Sequence, residues 1–317
     1  MTEKEFYEAI KDQILDYLPD EYAGSRVELH DVMKDNDRML TGITVVRKNE
    51  TAVPITYLNE AFDHYQDGVL MEEICRDISN MILSYKGMNI PVKNIDLKYE
   101  SIKDNLRVKL VNNRTNRKLL QESVNQPVGC GYSFIPYIDL ESKEMEGAMV
   151  RITKQLAATQ DYDEGQIMED AVKGSETSDG VKLARIEDIL FSSDGSTVNL
   201  LDEDHHDMNV STLLVLTNAS GIYGASSLFL PGIQEKIADS IGCGYYVLPS
   251  SVHEVLILPE RGDYEATDLV QMVKSVNQGM VLPEEQLGSK VLQYDPALKH
   301  ISIAADLDRT PVRSAER

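Results

Sequence analysis

The sequence predicts an α+β or α/β protein with mixed sheets, flanking helices and two main domains. Apolar residues recur every three to four positions in Thr2–Leu18 and Leu70–Tyr85, as they do on amphipathic helices. Two strand-like stretches, Arg26–Met33 and Met39–Arg47, flank a polar turn, which is typical of a β-hairpin. The apolar run Thr212–Leu216 is typical of a strand that is covered on both faces.

The other elements of the first half follow from the same signals. Thr2 and Glu5 form a capping-box pattern at the start of the first helix, and Pro19 ends it. Further predicted elements are helices at Leu58–Gln66 and Asn116–Glu122, strands at Leu106–Val111 and Gly131–Leu140, and a segment, Glu146–Thr153, that can pair with the second of these strands.

The last third of the chain shows the most regular alternation of apolar runs and turns. Pro231 suits the first turn of a helix that runs to Ile241, where Gly242 stops it. A second helix begins near Leu269 and ends at Gly279. The predicted strands are Ala225–Leu230, Tyr245–Leu248, His253–Leu258, Lys290–Tyr294 and Lys299–Ile303.

The composition changes in the middle of the chain. Residues 161–207 contain fourteen acidic and three basic residues, together with many Gly and Ser, so this stretch carries half of the net charge. We read it as linkers around one short helix, Leu183–Leu190. The predicted map is an N-terminal α+β domain (1–160), an acidic and partly flexible connecting region (161–210), a C-terminal α/β domain (211–305) and a disordered tail (306–317).

The net charge of −22 limits the partners of this chain. Nucleic acid and anionic lipid are bound by clustered cations, which an acidic protein of this kind does not favour. We therefore expect a protein partner, one with a basic surface, and no direct contact with nucleic acid or membranes. The alternative is that the acidity only keeps the protein soluble. The sequence leaves the oligomeric state open.

Three cysteines that are far apart, with no CxxC pair, indicate neither a disulfide framework nor a zinc ribbon. The charged N-terminus and the lack of a long apolar run predict a cytoplasmic protein.

Metal and cofactor motifs are weak in this sequence. There is no phosphate-binding loop, dinucleotide fingerprint, HExxH or GxSxG motif, so we expect no cofactor. The acidic run Asp202–Asp207 contains metal-ligand side chains at Asp204, His205 and His206. Adjacent residues rarely all point at one ion, so we interpret this run as a solvated acidic loop and expect no bound metal.

Two further clusters contain residue types that are used in catalysis or binding. Ser250, His253 and Glu254 are ingredients of nucleophilic catalysis, but triads are assembled from distant segments, so roles in a turn and in strand pairing are the alternative. Asn218 and Ser220 follow an apolar strand, where ligands often bind in open α/β sheets. The alternative is a loop whose polar side chains bond to its own backbone.

Two segments between Leu214 and Glu260, LVLTNASGIYGASSLFLPGIQEKIADSIG and YYVLPSSVHEVLILPE, resemble the C-terminal part of a bacterial family known only as a domain of unknown function. A related group shares the pattern YxLPSSxHE, which is Tyr246–Glu254 in this chain, and YLNEAFDHYQDG resembles the family's first half. The resemblance implies a cytosolic protein of anaerobic Gram-positive bacteria, often encoded near mobile elements. It implies no activity and no catalytic residues.

These observations favour a non-enzymatic interaction or regulatory protein with an acidic surface. The alternative is an uncharacterised, hydrolase-like enzyme with a site near Asn218, Ser250, His253 and Glu254. A concave polar site at those residues would favour the enzyme, and an acidic or apolar surface patch would favour the interaction protein.

Overall fold

The computed structural model describes residues 1–48, 53–85, 96–140, 149–177, 180–191, 197–202, 212–262 and 264–307. These residues form two compact units, an N-terminal unit up to Asp96 and a C-terminal unit from Leu97 onwards. The predicted domain borders at residues 160 and 210 differ from this division. Those borders concern which parts of the chain fold on their own, and they remain a prediction.

The N-terminal unit packs three helices on a small sheet. The sheet has the order β1-β2-β3, and its strand pairs are antiparallel. The elements are α1 Glu3–Gln13, a 3₁₀ turn Ile14–Tyr17, β1 Arg26–Met33, β2 Met39–Val46, β3 Thr56–Tyr57, α2 Asn59–Gln66 and α3 Met71–Ser84.

The apolar stripes recognised in the sequence form the core of this unit. Phe6 and Ile10 on α1 are fully buried and pack with Ile43 of β2 and with Ile74 and Ile78 of α3. The capping box is present, because the Thr2 hydroxyl accepts from the Glu5 amide and the Glu5 carboxylate accepts from the Thr2 amide. The start of α1 is therefore fixed by its own sequence.

The C-terminal unit contains a four-stranded and a six-stranded sheet, both antiparallel. Its first elements are α4 Tyr99–Ile102, β4 Leu106–Asn112, α5 Arg117–Glu122, β5 Gln126–Gly129, β6 Tyr132–Asp139, β7 Met149–Arg151, α6 Lys154–Gln160, α7 Glu164–Thr177, β8 Val181–Arg185 and α8 Ile186–Phe191. They are followed by β9 Leu214–Asn218, a 3₁₀ helix Gly224–Phe229, α9 Ile233–Ile241, β10 Tyr245–Leu248, β11 Val255–Pro259, α10 Ala266–Met280, β12 Val291–Asp295 and β13 His300–Ala305.

The six-stranded sheet has the order β13-β12-β10-β11-β9-β8 and is covered on both faces. One face contributes Leu216, Val247 and Ile257 to the large core of the unit. The other face packs Leu248 and Leu258 against the apolar side of α10. Burial on both faces explains why β9 reads as a continuous apolar run.

Two edge strands of this unit are closed by polar side chains. At β4, the Val108 amide donates to Ser175 Oγ of α7 at 3.0 Å. At β8, the Leu183 amide donates to Asn199 Oδ1 at 2.9 Å, and the Leu183 carbonyl accepts from the Leu200 amide. These backbone groups of β4 and β8, which the edge would otherwise leave unpaired, are thus bonded within the unit.

The predicted α+β class is confirmed, and the antiparallel pairing of the described strands favours it over α/β. Most predicted elements lie within a few residues of those observed, including the hairpin of β1 and β2 and the pairing of β7 with β6. Among the described residues, no helix has both the length and the apolar content to cross a membrane.

Three local predictions were wrong. The apolar run Ala225–Leu230 was predicted as a strand but lies in a buried 3₁₀ helix, because burial alone does not distinguish a short helix from a strand. The predicted helix Leu183–Leu190 begins as strand β8 and only then becomes α8. Helix α7 was missed, since its apolar residues Ile167, Met168 and Ala171 lie in an acidic stretch.

Candidate functional site

His253 lies in the bend before β11. The sequence predicted it as the first residue of a strand, but the strand begins two residues later, at Val255. Its Nδ1 accepts a hydrogen bond from the Tyr223 amide at 3.3 Å, and its Nε2 lies 3.4 Å from Glu285 Oε1. Both ring nitrogens therefore have partners within the protein. A role as general base would require one of these contacts to open, so that the ring nitrogen could reach a substrate proton.

The two serines hold the turn that precedes His253. Ser251 Oγ accepts from the His253 amide at 3.0 Å, and the Ser250 carbonyl accepts from the Leu287 amide at 3.0 Å. Both serines are buried, whereas Glu254 is partly exposed. Within the described residues, no hydrogen bond joins the His253 ring to Ser250, Ser251 or Glu254. These groups lie along the turn that leads into β11.

Asn218 and Ser220 stabilise the loop that follows β9. The Asn218 amide group donates to the Ile222 carbonyl at 2.8 Å, and Ser220 Oγ donates to Asn218 Oδ1 at 3.2 Å. Ser220 Oγ also accepts from the Ile222 amide at 3.2 Å. These bonds agree with the alternative of a loop whose polar side chains bond to its own backbone, and a ligand site at Asn218 and Ser220 stays a prediction.

Tyr223, which the sequence did not single out, organises this region. Its backbone is left-handed, with φ of 54°, and its ring stacks on His253 at 5.7 Å between centroids. Lys109 Nζ lies 5.2 Å from the Tyr223 ring centroid, and Tyr137 meets the ring edge-on at 5.3 Å. Lys109 is buried, so the ring face helps to accommodate a cation that has left water. The cluster ties the Tyr223 loop to β4 and β6.

We expect His253→Ala to lower the free energy of unfolding by about 1–3 kcal/mol, because the Tyr223 amide loses its acceptor and the Tyr223 ring loses its stacking partner. Urea denaturation curves measure this. The matched control is His300→Ala, since His300 is exposed on β13 and should change stability by less than about 0.5 kcal/mol. An unchanged midpoint for His253→Ala would contradict a structural role for this ring.

A cavity on the N-terminal unit is a second candidate site. Its volume is about 470 Å³, and it opens to solvent between the start of α1, the ends of β1 and β2 nearest their turn, and the start of α2. Three carboxylates and one ammonium line it, together with apolar and amide side chains. The lining residues are Glu3, Lys4, Tyr7, Glu8, Leu29, Asp31, Met39, Thr41 and Asn59.

Hydrogen bonds fix the polar wall of this cavity. The Tyr7 hydroxyl donates to Glu3 Oε1, and burial together with this carboxylate raises the pKa of Tyr7. Thr41 Oγ1 donates to Asp31 Oδ1 at 2.8 Å, and the Thr41 amide donates to Asn59 Oδ1 at 3.0 Å. The lining residues come from four separate elements, so no short motif in the sequence indicates this cavity.

The predicted metal-ligand candidates Asp204, His205 and His206 lie outside the described residues. Within the part of the chain that the structure describes, no group of three or more His, Cys, Asp or Glu side chains is arranged to hold an ion.

A family of unknown function, DUF5688, matches residues 3–296. The chain belongs to this family. No curated protein and no solved structure matches the chain.

The DUF5688 match spans both compact units and includes both candidate sites, the His253 region and the N-terminal cavity. It confirms the predicted membership of a family of unknown function. The family description assigns no activity, so a function must be argued from the sites themselves.

Proposed function

We propose that this DUF5688 protein is a non-enzymatic interaction protein that binds a basic protein partner through its acidic surface. The observation that carries the proposal is the N-terminal cavity, in which the carboxylates of Glu3, Glu8 and Asp31 surround a space of about 470 Å³. The ammonium of Lys4 in the lining offsets one of these three carboxylates, and the remaining negative charge favours the side chain of a lysine or arginine over a neutral or anionic group.

The apolar part of the lining supports the same partner. Leu29 and Met39 lie beside the carboxylates, and Met39 is half exposed. Lysine and arginine side chains bury their aliphatic stems on apolar surface while the charged end meets an acid. The net charge of −22 adds long-range attraction for a cationic partner and accelerates encounter.

The enzymatic alternative has less support. A hydrolase-like site at Ser250, His253 and Glu254 would need a His253 nitrogen that faces the serine hydroxyl, but Nδ1 faces the Tyr223 amide and Nε2 faces Glu285. The polar atoms of the Asn218 loop are also bonded to one another. We therefore propose that these residues stabilise the fold of the C-terminal unit.

The proposal extends to the cellular context of the protein. The family resemblance implies a bacterial, cytoplasmic protein that is often encoded near mobile elements, and a basic protein partner is compatible with that context.

The test is affinity purification of the tagged chain from the cells that encode it, with washes from about 0.1 M to about 0.5 M salt. We expect a basic protein that is retained at low salt and released at high salt. We also expect the double variant Glu8→Gln with Asp31→Asn to weaken this complex by about tenfold or more. Asparagine at position 31 keeps an acceptor for Thr41, so the wall of the cavity stays intact.

The matched control is Asp12→Asn with Asp16→Asn, which removes the same charge from exposed positions near α1 that do not line the cavity. This control should retain the partner. Equal loss in both double variants would assign binding to net charge rather than to the cavity. A partner that is retained unchanged at high salt would contradict recognition by charge.

A further inference from the structure

Among the described residues, nothing pairs with the outer edge of strand β1. This strand is the terminal strand of its sheet and pairs only with β2 among the described strands. The terminal strands β4 and β8 of the C-terminal unit are closed by Ser175 and Asn199, but no described residue does this for β1. An open edge presents unpaired backbone N–H and C=O groups to another strand.

The hydrogen bonds of the hairpin identify the open groups. The Lys34 amide donates to the Arg38 carbonyl, so this opposed pair is hydrogen-bonded across the hairpin. The Thr41 carbonyl accepts from the Leu58 amide, so Thr41 faces β3 rather than β1. Because bonding alternates along an antiparallel pair, the N–H and C=O groups that point outward belong to Val27, Leu29, Asp31 and Met33.

The open groups and the acidic cavity share two residues. Leu29 and Asp31 direct their backbone groups to the open edge, and their side chains line the cavity. In antiparallel pairing, residues directly opposite each other place their side chains on the same face of the sheet. A strand added to this edge would therefore direct every second side chain toward the carboxylates of Asp31, Glu3 and Glu8.

We infer that the partner binds as an extended basic segment that adds to the edge of β1 as an antiparallel strand, with alternate lysine or arginine side chains entering the acidic cavity. This inference rests on the proposed function and adds the mode of binding. Main-chain hydrogen bonds supply affinity, and the cavity supplies the preference for a cation at every second position.

Charge selects this occupant over a second copy of the chain. Two β1 edges paired antiparallel with Asp31 opposite Asp31 would bring these two carboxylates together, which is unfavourable. The Asp31 carboxylate also attracts a basic strand. This acid on the edge of β1 thus disfavours self-pairing in that register and favours a cationic partner.

The test uses a capped synthetic peptide of alternating lysine and valine, titrated into the full chain and followed by fluorescence anisotropy. Two modified peptides carry backbone N-methyl groups, one on its lysines and the other on the same number of valines. In the inferred arrangement the lysine N–H groups face β1 and the valine N–H groups face away. We expect methylation of the lysines to weaken binding by about tenfold or more, and methylation of the valines to have little effect.

The remaining outcomes separate the two proposals. Equal binding by both methylated peptides, with release at high salt, would overturn strand addition and leave recognition by charge intact. Equal weakening of both would also overturn it, since alternation is its central feature. If the unmodified peptide does not bind at all, strand addition is wrong, and the proposed function then depends on the purification with the cavity variants alone.

Discussion

Gly224→Ala is expected to destabilise the C-terminal unit by about 3 kcal/mol or more. A Cβ atom at this position would lie 2.2 Å from Thr217 Oγ1, 2.6 Å from the Asn218 amide nitrogen and 2.7 Å from the His253 carbonyl oxygen. Two of these atoms are backbone, so neither can move away without displacing β9 or the bend at His253. The substitution should therefore move the Tyr223 loop away from β9 and from the bend at His253.

The measurement is urea denaturation of wild type and variant, followed by far-ultraviolet circular dichroism. The matched control is Gly221→Ala in the same loop. Gly221 has φ of +70° but no atom within 4 Å of the added carbon, so only the backbone conformation is penalised, at about 1–2 kcal/mol. If Gly224→Ala costs no more than Gly221→Ala, the close approach of the loop to His253 is wrong.

The sequence predicted elements well where local chemistry sets the structure. The hairpin of β1 and β2 has a turn, Asp35–Asp37, in which Asn36 and Asp37 adopt positive φ, a conformation that Asn and Asp tolerate. Helix α1 begins at its capping box. These signals depend on neighbours within a few residues, so a single sequence contains them in full.

Sequence reasoning did not succeed where distant residues decide the structure. It named His253, but the groups that hold the ring, Tyr223 and Glu285, lie about thirty positions away on either side. It read the run after Gly224 as a strand, because the packing that makes this segment helical comes from β9 and from the His253 bend. The residues that line the acidic cavity come from four elements. Their positions in the sequence follow no regular spacing, so the sequence alone does not indicate the cavity.

The acidic middle of the chain is a second case in which composition and the observed structure differ, and a substitution can test it. Charge and small residues predicted a connecting region from residue 161 to 210, yet α7 begins at Glu164 and buries Ile167, Met168, Ala171 and Ser175. A helix with one apolar face can carry many exposed acids, so composition alone does not distinguish it from a linker.

Gly174→Ala is expected to destabilise the protein by about 2–3 kcal/mol, although alanine is favoured over glycine within a helix by about 1 kcal/mol. A Cβ at Gly174 would lie 2.2 Å from the Leu106 carbonyl oxygen and 2.8 Å from Arg107 Nη1. Helix α7 would have to move away from β4, which would also lengthen the bond from the Val108 amide to Ser175 Oγ. Urea denaturation again gives the free energy of unfolding.

Gly279→Ala is the matched control for this prediction. Gly279 lies in helix α10, and an added Cβ there meets no atom within 4 Å, so the same substitution should stabilise the protein by up to about 1 kcal/mol. The two variants are therefore expected to change stability in opposite directions. If both stabilise the protein equally, α7 does not contact β4, and residues 161–210 act as the connecting region that their composition predicted. If only Gly174→Ala destabilises, this acidic helix closes the edge of β4, and its exposed acids are the outer face of a structural element.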